Sequence, residues 1–374
     1  MQKLCAFEKN LLDSLKRLVD LPSVKTLGAA VSGGADSVSL LAALCAAKEQ
    51  SAAFPKLLCV TVDHSIRPEE ESSGDAAFVA GLCQKLGVEC VVKKIERGAV
   101  ERLAGVRKKG LEEAARFLRY QKFEEFAKEN EVQFICLAHN QNDALETLLM
   151  RFLQGSSSSY GIAARRGIYL RPLLDTGREE IENYLRQKKM DWRTDSTNQE
   201  NAYFRNKVRN LLSPFLDKNF EGWKKALLSG AEKAAFENDA LDECLCRALG
   251  AEEPCFDEYF ERAKGPDGSL VFTAETFLSL PVALRQRLLY RAFDFFKLEK
   301  RVPYSFVRDL SFWPEKSFKK AAAAGLEAVE KKDKVFLKIL KKEATESGFF
   351  DIIRGEDASG GVCVARTRAV GDKV

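Results

Sequence analysis

Short apolar segments alternate with stretches of helical periodicity over roughly the first 215 residues, and no other feature narrows the fold as much. The strand candidates are LGAAV (27–31), LLCVTV (57–62), ECVVKKI (89–95), FICLA (134–138) and IYLRPL (168–173). Helical patterns cover roughly 37–49, 72–86, 110–129 and 142–154. Short apolar strands separated by helix-length connections predict an α/β fold, a parallel sheet flanked by helices on both faces. Ligands of such sheets bind outside the carboxyl ends of the strands. The residues that follow each strand therefore carry the functional question.

The character changes after about residue 217. Residues 220–264 read as helix. Residues 281–297 read as another, opened by Pro281, with Leu284, Leu288, Leu289, Ala292 and Phe293 on one side. The stretch GLEAVEKKDKVFLKIL reads as two short strands around a charged turn, and a serine run at 156–159 is the one low-complexity spot. The expected organisation is a catalytic domain over 1–217, a mainly helical domain over 218–345, and the start of a further domain over 346–374.

Composition excludes some function classes. No apolar run approaches the ~20 residues of a membrane-spanning helix. The N-terminal segment spaces Leu4, Phe7, Leu11, Leu15 and Leu18 like one face of a packed helix, and charges interrupt it. Ten cysteines are scattered, many inside apolar runs, and there is no CxxC. Buried free thiols are expected rather than disulfides, and the lone CxC with two histidines in the chain argues against a zinc or iron–sulfur site. A cytoplasmic location follows as an expectation. The net charge of +4 leaves nucleic-acid binding to local patches.

The loop after the first strand reads VSGGADS (31–37). Glycines allow close approach of backbone to a ligand, and the free N–H groups of a following helix bind anions. Ser32, Gly33, Gly34, Ala35, Asp36 and Ser37 thus form a candidate phosphate cradle. It is neither a Walker A loop nor the dinucleotide GxGxxG. VDHSIR follows strand two, where Asp63 and His64 are placed to face the same crevice, although taken alone the cluster reads as a solvated loop. AHNQNDALETLLMRF follows strand four: His139 precedes a helix that carries Asp143, Glu146 and Thr147 on one face. Such an acidic pair suits a cation or an amine, and equally a helix dipole. Arg116 suits a phosphate or a surface ion pair. The stretch 191–209, DWRTDSTNQENAYFRNKVR, interleaves Arg205, Asn206 and Arg209 with Trp192, Tyr203 and Phe204, a mixture suited to RNA or to a polar linker.

As an ordered set, VSGGADS, VDHSIR, GLEEAARFLRY, AHNQNDALET, RPLL and DWRTDSTNQENAYFRNKVR resemble the tRNA(Ile)-lysidine synthetases, members of the N-type ATP pyrophosphatases with a PP-loop. The resemblance spans roughly residues 25–217 and extends weakly to ALRQRLLYRAF. It implies a Rossmann-like PP-loop ATPase fold and two cofactors, ATP and Mg²⁺. It also implies ligation of free L-lysine to the wobble cytidine of the isoleucine tRNA with a CAU anticodon. By resemblance, Asp36 holds the metal, Arg116 and His139 lie near the activated base and phosphate, and Asp143 and Glu146 receive the lysine ammonium. Arg205, Asn206 and Arg209 position RNA or phosphate, and homodimerisation stays open. Three positions depart from the family pattern: Asn140 for a histidine, Asn142 for an aspartate and Ala144 for a glutamine. The shared SGGADS loop keeps one alternative open, another PP-loop enzyme such as a tRNA cytidine thiolase, against which the absence of CxxC counts. Asn140, Asn142 and a chain end soon after VCVARTRAV motivate a second, a catalytically weak tRNA-binding remnant.

Overall fold

The computed structural model describes residues 3–63, 69–107, 110–155, 161–193, 204–251, 256–298, 302–316 and 320–340. Its contacts divide the chain into two compact units, with the boundary between Ala234 and Ala235. The first unit runs α1 (Ala6–Leu18), β1 (Thr26–Ala30), α2 (Ala35–Gln50), β2 (Lys56–Asp63), α3 (Glu69–Lys85), β3 (Glu89–Lys94), α4 (Ala99–Arg107), α5 (Leu111–Glu129), β4 (Phe134–Cys136), α6 (Gln141–Leu153), β5 (Arg165–Arg166), β6 (Tyr169–Leu170) and α7 (Arg178–Gln187). A short α8 (Phe204–Lys207) passes through a π-helical turn, Val208–Leu212, into α9 (Ser213–Asn219), and α10 (Trp223–Ala248) carries the chain across the boundary.

The sheet order is β3-β2-β1-β4-β6-β5, parallel except for the antiparallel edge pair β5–β6. Side-chain alternation divides β2 between two cores. Leu57 and Cys59 join Leu27, Ala29, Leu40, Leu41 and Leu44 on one face. Leu58 and Val60 join Phe123, Phe126 and Ile135 on the other. Both faces are covered by helices, which is why the strands read as continuous apolar runs rather than alternating ones. At Gly28 the approach is close: a Cβ there would lie 3.1 Å from both Phe126 and Val132. Strand order reverses at β1, which has β2 on one side and β4 on the other, so the loops after β1 and β4 face one crevice.

The second unit contains the C-terminal part of α10, α11 (Asp257–Arg262), β7 (Leu270–Thr273), α12 (Ala274–Ser279), α13 (Val282–Phe295), α14 (Tyr304–Ser311), β8 (Lys320–Ala323), β9 (Leu326–Lys331) and β10 (Lys334–Ile339). An antiparallel sheet ordered β7-β10-β9-β8 backs the helices. Its core gathers Phe260, Phe272, Phe277, Leu288 and Trp313. The helix expected over 220–264 is broken: Gly250 adopts a left-handed backbone with φ of 66°, and Ala251 N–H donates to the Cys246 carbonyl, a Schellman-type stop. β9 and β10 are the two strands anticipated around the charged turn. β7 and β8 were not foreseen.

Candidate active site

The segment 31–34 leaves β1 and becomes the N-terminus of α2. Gly33 has φ of 88°, a conformation that side chains other than glycine's resist. Ser37 Oγ accepts from Ser32 N–H at 3.1 Å and donates to the Gly34 carbonyl at 2.9 Å. Ser32 Oγ lies 3.3 Å from Ser37 Oγ. The serines therefore fix the loop while Ala35 and Asp36 open the helix. Arg193 N–H donates to the Gly33 carbonyl at 2.9 Å, and its guanidinium pairs with Asp75 at 2.9 Å. A later stretch of chain thus braces the loop, while Ser32 stays exposed.

Asp36 meets Arg178, the first residue of α7, at 3.1 and 3.3 Å. Burial holds its carboxyl above the ordinary range, and the charge of Asp143 adds to this. Arg178, a hydrogen bond from Asn140 and Arg209 pull the other way. Asp36, Asp143 and Arg209 therefore share one electrostatic site, although the loop and α6 are a hundred residues apart in sequence.

The acid pair on α6 sits in an arginine clamp. Arg205 Nε donates to Glu146 at 2.8 Å, and its Nη2 to Asp143 at 2.8 Å. Arg209 Nε and Nη2 donate to the two Glu146 oxygens at 2.6 and 3.0 Å. Glu146 is 4% exposed, so these charge-assisted bonds satisfy a carboxylate removed from water. Arg209 lies within the π-helical turn, a device that re-aims side chains and recurs at functional sites. Asn206 sits between the two arginines on α8.

Two of the departures from the family pattern have structural work here. Asn140 is the N-cap of α6: its Oδ1 accepts from Asp143 N–H, and Asp143 Oδ2 accepts from Asn140 N–H, both at 3.1 Å. Asn142 Oδ1 accepts from Arg178 N–H at 3.1 Å and so pins the start of α7.

His139 Nδ1 accepts from Arg171 Nε at 3.3 Å. Burial first, then the charges of Arg171, Arg116, Arg205 and Arg119, push its imidazole down to about 3, so it is neutral across the working pH range. Arg116 stacks over Tyr120 at 5.1 Å and donates to its hydroxyl at 3.2 Å. Asp63 closes β2, is 9% exposed, and accepts from Ile95 N–H through its carbonyl. His64 lies outside the described residues, as do Ser156–Ser159, Tyr203 and everything from 341 onward.

The structure thus joins Asp36, Asp143, Glu146, Arg205 and Arg209 in one network and sets His139 and Arg116 in a neighbouring arginine cluster. Sequence reasoning assigned no role to Arg171, Arg178 or Arg193. Arg171 stood in the quoted RPLL, and its 5% exposure is what marks it. Arg178 looked like an ordinary charged helix start.

A PP-loop domain signature matches residues 7–216, more than half of the chain. The tRNA(Ile)-lysidine synthase of Treponema denticola is 38% identical over 327 residues, covering 86% of this chain and 68% of that protein. The chain belongs to this family of PP-loop proteins. The tRNA(Ile)-lysidine synthase of Treponema pallidum is 38% identical, covering 73% of this chain and 57% of its own length. That of Deinococcus radiodurans is 39% identical, covering 68% and 42%. The chain therefore spans between about two fifths and two thirds of these lysidine synthases. Among solved structures, a U34-tRNA thiolase from Methanococcus maripaludis superposes with a TM-score of 0.50 at 18% identity, covering 61% of this chain and 77% of that one. This likeness is one of fold. Among the described residues, no helix is long and apolar enough to cross a membrane.

Proposed function

We propose that the chain ligates free L-lysine to the wobble cytidine of the isoleucine tRNA with a CAU anticodon, using ATP, in a reducing cytoplasmic compartment. The names of the curated relatives support this reading. The observation that carries it is the acid pair Asp143–Glu146, held by two arginines beside a serine-fixed phosphate loop.

In the first step the cytosine carbonyl oxygen attacks the α-phosphorus of ATP and pyrophosphate leaves. The N–H groups opening α2 and the hydroxyls of Ser32 and Ser37 suit the departing phosphates. Asp36, a carboxylate at the loop, offers the oxygen donor that Mg²⁺ prefers, with Arg178 giving way to it. When bound, the ion neutralises phosphate charge. Arg116 faces the same chemistry, and His139, neutral, contributes a hydrogen bond rather than a charge.

In the second step the lysine Nε attacks the activated ring carbon and AMP leaves. Only the neutral amine is a nucleophile, so its ammonium must first lose a proton. Asp143 and Glu146 receive the ammonium in place of guanidinium groups, and one of these carboxylates accepts the proton it gives up. Arg205 and Arg209, released from them, are then available to phosphate or RNA, and Asn206 lies between them.

The test is incorporation of radiolabelled lysine into purified isoleucine tRNA(CAU) with ATP and Mg²⁺. Incorporation is expected, and it should vanish with a tRNA carrying uridine at the wobble position. tRNA-dependent pyrophosphate release without incorporation would exclude lysine as the nucleophile. Absence of both signals would exclude the ligase reading.

A further inference from the structure

The fold gathers three cysteines that the sequence scatters. Cys59 lies on β2, Cys83 in the last turn of α3 and Cys90 on β3. Cys59 and Cys90 are register partners on neighbouring parallel strands, so their side chains leave the same face of the sheet. α3 packs against both strands and supplies Cys83. The three Sγ atoms lie within 4.8 Å of one another. Cys59 and Cys83 are 0% and 1% exposed, whereas Cys90 is partly open to solvent.

We propose that Cys59, Cys83 and Cys90 form a three-coordinate thiolate site for a single soft monovalent metal ion of the Cu(I) class. The site is independent of the ligase reading. The donor set comes first: three sulfurs, joined among the described residues by no histidine nitrogen or carboxylate oxygen. All-thiolate sites select Cu(I), zinc or iron–sulfur clusters. Structural zinc almost always takes four ligands. Cys59 and Cys83 belong to the apolar cluster that also holds Val79 and Val88, and the described residues offer no fourth ligand beside the three sulfurs. The sulfurs are too close together to sit on separate irons of a cube. Cu(I) is satisfied by three sulfurs in one plane.

The dimensions agree. A metal–sulfur bond of ~2.3 Å puts three sulfurs in a plane about 4 Å apart. The observed limit of 4.8 Å is less than an ångström away, within reach of small side-chain rotations. On binding, three S–H bonds are replaced by three S–metal bonds and three protons pass to solvent. No electron is transferred, because the ion arrives as Cu(I). Affinity must therefore rise with pH.

The test uses the full chain, reduced with a phosphine under oxygen-free conditions and titrated with the Cu(I)–acetonitrile complex against a chromogenic Cu(I) chelator. One ion per chain should be retained. A chain with Cys59→Ser and Cys90→Ser should bind it ~100-fold more weakly, and one with Cys5→Ser and Cys244→Ser should bind it unchanged. X-ray absorption should report three sulfur neighbours. Should the serine variants fold poorly, the unaltered chain suffices: Cu(I) must protect Cys90 from iodoacetamide while the exposed Cys244 still reacts. Equal retention by the Cys59/Cys90 variant, undiminished alkylation of Cys90, or tighter binding of zinc with four neighbours would each overturn the assignment.

Discussion

His139 shows how a residue's surroundings decide its role. Arginines approach it from the residue after β6, from α5 and from α8, and burial removes the water that would stabilise an imidazolium among them. Its folded value of about 3 lies below the ordinary 6.5. Between those limits the unfolded chain holds more protons than the folded one, so this residue's contribution to stability is lost as pH falls through that window. The chain has two histidines, so imidazole resonances are easily assigned. One of them should show no titration above pH 5; a midpoint near 6.5 for His139 would contradict the buried environment. At the same scale, Asp36→Ala should abolish tRNA-dependent pyrophosphate release, a loss of at least ~100-fold for an electrostatic group at the reacting phosphates. Asp143→Ala should slow lysine transfer more than adenylation. Equal slowing of both, measured by pyrophosphate release and lysine incorporation on the same preparation, would remove the case for a dedicated lysine site.

Among the elements, β1 and the loop after it bear the tightest constraint. Gly28 faces Phe126 and Val132 across a gap that a methyl group overfills. Gly28→Ala should cost about 1–3 kcal/mol in urea unfolding. Gly33→Ala, which places a Cβ on a residue with φ of 88°, should cost about 1–2 kcal/mol and weaken ATP binding as the loop shifts. These elements were legible beforehand because their information is local. Apolar runs marked β1 to β4, two glycines and two serines marked the cradle, and helical spacing placed Asp143 and Glu146 on one face. What stayed hidden depends on distance in sequence. Arg178 reaches Asp36 across 142 positions, and nothing in REEIENYLRQ distinguishes that arginine from a surface one. The two-residue β5 is too short for any periodicity to register. Cys59, Cys83 and Cys90 lack ligand spacing because strand pairing, not chain neighbourhood, brings their sulfurs together.

For the molecule as a whole, two compact units that share no hydrophobic cluster predict two cooperative unfolding events. Leu41→Ala, in the core beneath β1, should lower one calorimetric transition by the ~2–5 kcal/mol typical of a buried leucine. Leu288→Ala should lower the other. A single transition displaced equally by both substitutions would show that the units unfold together.

The arginine clamp also has a consequence for biosynthesis. Glu146 leaves the ribosome 63 residues ahead of Arg209, its partner. At about 5–20 residues per second, several seconds separate them. Over that interval the carboxylates of α6 have no guanidinium to offset their loss of water, so α6 has reason to keep them hydrated. The sheet can assemble around β1 and β4 in the meantime. The crevice consolidates last, when the arginines arrive, and a nascent chain interrupted before residue 205 would hold a folded scaffold with an unfinished centre.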